Sequence, residues 1–209
     1  MTLFEKRKKA ILVAKKLKKL FPKVKSALNY SNNFEMLTAV ILSAQCTDKM
    51  VNKVTENLFK KYKNIDDFSK ARLKEFEIDI KSTGFYRNKA KNIINCAKII
   101  KEKYKGKIPT SMEDLLSLPG IARKSANIIL YLSTGNIAGI AVDTHVKRVT
   151  KVLGLTNNID PVKIEKDLMQ ILPKEEWMAF SFRLVDYGRK YCSARNHDHQ
   201  NCPLTKLVS

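Results

Sequence analysis

The chain has 209 residues, 44% of them hydrophobic, enough for one large or two small domains with a sizeable core. Its 40 Lys and Arg against 20 Asp and Glu give a net charge of +20, which favours a polyanionic partner over an acidic one, although a lysine-rich proteome would also contribute. No apolar run reaches membrane-spanning length, and the basic, amphipathic segment 1–19 lacks the apolar stretch and small-residue cleavage site of a signal peptide. These features predict a cytoplasmic protein (nucleoid-associated if prokaryotic) with reduced cysteines and no membrane partner.

Taken in chain order, the elements read as helices. Few segments alternate with period two, whereas many carry apolar residues three and four positions apart, so the fold class expected is all-α. A first helix over 4–20 would turn Ile11, Leu12, Ala14 and Leu17 inward and stop before Pro22. Segment 34–44 is apolar nearly all round and predicts a buried central helix capped by Ser31 or Asn32. An amphipathic helix is expected over 48–62 behind a Thr47 cap, then short helices over 66–70 and 72–78. After a turn at Gly84, a long helix is predicted over 88–104, then a short one over 111–116 with Glu113 and Asp114 in its first turn. Helices over 123–133, 143–153 and 161–172 follow, and a last one over 174–187 is expected to stop at Gly188. Cys46 and Cys96 fall within helical patterns and read as small buried hydrophobes.

The most telling stretch is Leu118-Pro119-Gly120-Ile121-Ala122-Arg123-Lys124-Ser125-Ala126-Asn127. A tight Pro-Gly turn opens into an apolar helix with a lysine in its first turn. Amide groups at such a helix start suit a phosphate, and Gly120 lets the backbone approach it closely. The positive end of the helix, burial in a cleft and neighbouring Arg123 all weigh against an ammonium at Lys124, leaving the free amine that a nucleophile needs. Nineteen residues on, Asp143 stands in Ala141-Val142-Asp143-Thr144-His145, a carboxylate that suits positive charge developing on a sugar. Each residue also has a plainer reading. Lys124 could be a solvated or phosphate-contacting lysine, Asp143 a helix cap, and the turn a simple helix connection. Lone His145 reads as a group that orients its segment.

Together with Leu42-Ser43-Ala44-Gln45-Cys46-Thr47-Asp48, Ser82-Thr83-Gly84-Phe85-Tyr86, Asn88-Lys89-Ala90 and Asn92-Ile93-Ile94, these motifs resemble the endonuclease III family of the helix-hairpin-helix superfamily, in order and spacing, from about 26 to 192. The resemblance implies a two-lobed, all-α helix-hairpin-helix glycosylase fold. One lobe would be a six-helix bundle over 26–136 ending in the hairpin. The other would join 1–25 to 137–209, with the active-site cleft between lobes. It implies a DNA glycosylase with AP lyase activity that removes oxidised pyrimidines from damaged double-stranded DNA, and a monomer is expected. Lys124 would be the nucleophile and Asp143 its catalytic partner. Gly120, Ala122, Arg123 and His145 would lie on the DNA, with amides of the hairpin holding a phosphate. Ala122 stands where the family usually has glycine, which alanine can replace at a helical φ. Gln45 would fill the space left by an extruded base and Phe85 would wedge from the opposite strand. Two alternatives are a monofunctional mismatch glycosylase, against which Lys124 and Ala39 both count, and a non-catalytic DNA-binding hairpin.

The tail departs from the family. Its iron–sulfur spacing, Cys-x6-Cys-x2-Cys-x5-Cys, maps here onto Cys192, His199, Cys202 and Val208. Two thiolates fall short of the four protein ligands a [4Fe–4S] cluster ordinarily has, so that cluster is expected to be absent and no cofactor is predicted. A Cys2His2 zinc site from Cys192, His197, His199 and Cys202 is the minority alternative to a metal-free basic tail.

Overall fold

The computed structural model describes residues 2–195 and 198–208. Among them the secondary structure is entirely helical, as the periodicity requires. The chain divides into two compact units, Ser26–Asn136 and Met1–Lys25 with Ile137–Ser209.

The first helix, α1 (Leu3–Leu20), belongs to the discontinuous unit. Its Thr2 and Glu5 form a reciprocal capping box. Its inward stripe is Ala10, Val13, Ala14 and Leu17, the i, i+3, i+4, i+7 spacing of one helix face. Ile11 and Leu12, expected inside, are 38% and 49% exposed. The small Ala10 and Ala14 permit closer packing than those two larger side chains would.

The continuous unit begins with α2 (Asn33–Leu42), whose cap Asn32 accepts from the amides of Phe34 and Glu35. All its residues from Phe34 to Leu42 are buried, as expected of a central helix, but it ends at Leu42, two residues early. Then come α3 (Asp48–Lys61), α4 (Ile65–Ser69) and α5 (Leu73–Asp79). Phe34, Tyr62, Phe68 and Phe76 meet here with ring centroids 5.0 to 5.9 Å apart, in tilted and edge-on pairs. A 3-10 turn (Lys81–Thr83) leads into α6 (Tyr86–Tyr104), which starts two residues before the predicted position. Cys96 on α6 is buried, and burial pushes its thiol up to about 12. Cys46 instead lies in the bend after α2 and is half-buried, so the small-hydrophobe reading holds for Cys96 alone. The unit closes with α7 (Met112–Leu116) and α8 (Arg123–Thr134), which pack on each other, α8 also lying on α2.

The discontinuous unit resumes with α9 (Thr144–Val152), α10 (Pro161–Ile171) and α11 (Trp177–Lys190), and ends with the short α12 (Thr205–Val208). Its core joins the α1 stripe to Val146 and Val149, to Ile164 and Leu168, and to Phe180, Leu184 and Tyr187. Buried Arg183 donates to the Phe21 carbonyl and to Glu176, which ties the end of α1 to α11. α11 runs straight through Gly188, where a stop was expected. Its missing Cβ serves packing: one built there would lie 2.6 Å from Nδ1 of His145.

Candidate active site and nucleic-acid interface

The hairpin is the turn joining α7 to α8. Gly120 has φ +79°, and a Cβ added to it would lie 2.5 Å from Nδ2 of Asn92 on α6. Backbone conformation and lack of space therefore both require glycine. Ala122 is the exposed N-cap of α8, with φ −98° and ψ 169°. That backbone is extended, not the helical one foreseen, yet any residue adopts it, so alanine fits. Alanine also has no side-chain acceptor for a cap, so Ala122 does not itself compete with an anion for the first amides of α8. Arg123 and Lys124 are the first two residues of the helix, Arg123 half-buried and Lys124 exposed. Lys124 thus stands over the positive end of an apolar helix, presented to solvent.

Asp143 is the half-buried N-cap of α9 and accepts the Val146 amide at 2.8 Å. The cap fixes the carboxylate's direction, so the plainer reading is met without removing the chemical one. Two residues on, His145 fits against Gly188, with Nδ1 3.0 Å from Nη2 of Arg148. Arg148 in turn donates to the carbonyls of Gly188 and Cys192. Burial holds the His145 imidazole below its ordinary 6.5; Asp143 opposes that shift, while Arg148 and Arg189 add to it. The neutral ring thus packs between α9 and α11.

Gln45 and Phe85 share an unusual backbone. Only three non-glycine residues among those described have positive φ: Gln45 at 52°, Phe85 at 48° and Lys105 at 52°. Lys105 ends α6, a common place for a left-handed residue. Gln45 and Phe85 sit in exposed turns, and Phe85 keeps 64% of its surface in water. Left-handed backbone at a non-glycine residue costs about 1–3 kcal/mol, and an exposed aromatic gains nothing in the core from it. Such strain clusters at active sites and ligand clamps.

Lys89, in the Asn88-Lys89-Ala90 motif, also belongs to this region. Lys89 is 4% exposed, and its Nζ donates to the carbonyls of Leu42 and Thr83, each at 2.8 Å. Leu42 is three residues before Gln45 and Thr83 two before Phe85. One ammonium thus clasps the bases of both strained turns. Its burial pushes it below the ordinary lysine range, opposed by Cys46. The available signal was periodicity: Lys89 lies on the face of α6 that also carries Ile93, Cys96 and Ile100, all buried.

In the tail, ligand atoms of Cys192, His199 and Cys202 lie within 4.8 Å of one another, and both cysteines are buried. These three side chains could hold a metal ion. His197 of the minority zinc reading lies outside the described residues. The donor set does not fit a four-thiolate [4Fe–4S] cluster: it offers two sulfurs and a ring nitrogen, and position 208 is valine.

Residues 38–174 match the model of the HhH-GPD superfamily base excision DNA repair proteins. Endonuclease III of Synechocystis sp. is 45% identical, over 97% of this chain and 92% of the relative. The chain belongs to the endonuclease III family. The likeness extends to structure. An endonuclease III in a non-covalent complex with DNA superposes with a TM-score of 0.91 at 41% identity, covering 100% of this chain and 95% of the other. A trapped endonuclease III–DNA covalent intermediate matches with the same score and identity, covering 99% and 95%. The family resemblance carried by the motifs therefore holds across nearly the whole chain, including the fold class.

Proposed function

We infer that this chain is a base-excision-repair enzyme, a DNA glycosylase with AP lyase activity that removes oxidised pyrimidines from damaged duplex DNA in the cytoplasm. The observation that carries the reading is Lys124: an exposed amine in the first turn of α8, directly after a hairpin whose Gly120 has left-handed backbone and is tightly packed against Asn92. The covalent DNA intermediate of a 41% identical relative supports a step in which protein and DNA are joined.

In this reading the hairpin amides hold a backbone phosphate next to the lesion without reading sequence, and Arg123 adds positive charge. The Lys124 amine attacks C1′ of the sugar, and the glycosidic bond breaks with the base as leaving group. Loss of a proton from the new C–N bond's nitrogen and opening of the ring give a Schiff base. Abstraction of a C2′ proton then expels the 3′ phosphate, cutting the strand by β-elimination. Asp143, fixed by its cap, stabilises the positive charge that builds on the sugar and receives a proton from the amine. His145 holds that segment against the DNA. Gln45 enters the space left by the extruded base and Phe85 wedges the opposite strand, roles to which their strained, exposed turns are suited. The tail holds no [4Fe–4S] cluster in this reading, because its donor set lacks two thiolates.

Asp143→Asn tests the assignment. The asparagine retains an acceptor for the Val146 amide, so folding should persist while base release slows by about 100-fold or more, the range of a lost proton-transfer group. Base release within threefold of the parent would contradict the role given to Asp143.

A further inference from the structure

We propose that Cys192, His199 and Cys202 bind a single zinc ion, in place of the family's iron–sulfur cluster. Around one zinc, tetrahedral ligand atoms stand about 1.6 bond lengths apart, so bonds of about 2.3 Å to sulfur and 2.0–2.1 Å to nitrogen put S and N about 3.6 Å from each other. Sγ of Cys192 lies 3.7 Å from Nδ1 of His199. All three donors lie within 4.8 Å of one another, close enough for small side-chain adjustments to bring them onto one coordination sphere. Ligands on separate iron corners of a cuboidal cluster stand farther apart. Two thiolates and an imidazole select zinc over magnesium or calcium by softness.

The backbone brings the donors together from both sides. Cys192 follows the end of α11, and His199 opens a 3-10 turn (His199–Asn201). The Cys202 amide donates to the His199 carbonyl at 3.0 Å, and the Thr205 hydroxyl donates to that same carbonyl. Arg148 donates to the carbonyl of Cys192, so the site is tied to α9 as well. Deprotonated thiolates neutralise the ion, and the fourth position is left to a donor outside these three. The ion would pin the tail where the core includes Cys192, Cys202 and Leu204.

The test uses the full chain, purified without a histidine tag, and measures zinc, iron and acid-labile sulfide per chain. About one zinc and no sulfide is expected. Cobalt(II) added to chain stripped of metal should give thiolate charge-transfer bands, and zinc should erase them. His199→Ala and Cys202→Ser should each lose most of the zinc. Iron with matching sulfide would overturn the proposal in favour of a cluster. Stripped wild-type chain that gives no cobalt–thiolate bands would overturn it outright, whether or not the variants fold.

A second inference rests on different residues. We propose that Lys89 is a positioning residue for base extrusion, resting on the roles given above to Gln45 and Phe85. Its two bonds set the backbone from which both side chains depart. Lys89→Met keeps length and burial but removes both donors. Extrusion against an intact stack should suffer more than cleavage at a site that has no base to unstack. Thymine glycol release is therefore expected to fall at least tenfold relative to cleavage of a preformed abasic site, with the substrate containing 2-aminopurine opposite or beside the lesion reporting slower unstacking. Equal loss on both substrates would reduce Lys89 to a stabilising role and overturn the inference. Gln45→Ala and Phe85→Ala run alongside; if neither changes the ratio of the two rates, the roles of the turns fail independently of Lys89.

Discussion

Replacing Gly120 with alanine isolates the hairpin's contribution, because two separate terms act on one added methyl group. The first is conformational: alanine at φ +79° is in the left-handed region, which costs a side-chain-bearing residue about 1–2 kcal/mol. The second is steric. The new Cβ would lie 2.5, 3.0 and 3.1 Å from Nδ2, Cγ and Cβ of Asn92. Rotating the amide away relieves the first contact, but the last two require the side chain's root or the turn to move. Overpacking of this kind costs about 1–3 kcal/mol. Together the terms give about 2–5 kcal/mol. If the fold absorbs them, the melting temperature should drop by roughly 4–20 °C for a chain of this size. If the turn opens instead, melting changes little and the hairpin amides leave the phosphate, weakening binding to an abasic duplex by at least tenfold. Thermal melting and duplex binding are measured on the same sample. The Asn92→Ala, Gly120→Ala double variant should recover the steric part and retain the conformational part. A single variant that melts within about 1 °C of the parent and binds DNA equally would refute the reasoning.

Three other outcomes are expected. His145 is held below its ordinary 6.5 by burial, so its neutral form contributes stability that is complete above 6.5 and declines as pH falls through the lower folded value. Chemical denaturation between pH 7.5 and 5 should show that decline, reduced in His145→Gln. Gly188→Ala should displace the same imidazole, since its Cβ would meet Nδ1 at 2.6 Å, and lower stability by about 1–3 kcal/mol in denaturant titrations. Duplex binding should weaken linearly on a log–log plot against salt through counterion release; a flat plot would make the +20 charge compositional.

Helices and their order were readable from apolar periodicity because most of them are amphipathic and capped by Asn, Thr, Ser or Asp. Periodicity failed where size rather than polarity decided the buried face. On α1 the alternatives Ile11 and Leu12 are more apolar than Ala10 and Ala14, yet the small residues are inside. Gly188 reads as a stop because glycine punctuates helices more often than it makes room for a neighbour, as it does here for His145. The Lys124 motif and the Asp143 cap could be placed on their helix starts from local signals alone. What sequence could not supply was backbone strain and long-range contact. Positive φ at Gln45 and Phe85 has no signature in residue type, and the reach of Lys89 to Leu42 spans 47 positions. The tail spacing put Cys192 and Cys202 on the family pattern and marked His199 and Val208 as departures from it, but only folding of the turns brings the ligand atoms of Cys192, His199 and Cys202 together.

The central claim is that Lys124 is the amine that joins the DNA. Borohydride reduction during reaction with a thymine glycol duplex and with an abasic duplex tests it directly, with peptide mapping of the adduct by mass spectrometry. A single cross-linked peptide containing Lys124, obtained from both duplexes and lost in Lys124→Ala while duplex binding persists, is the predicted result. An adduct mapped to another residue, or undiminished trapping by Lys124→Ala, would contradict it.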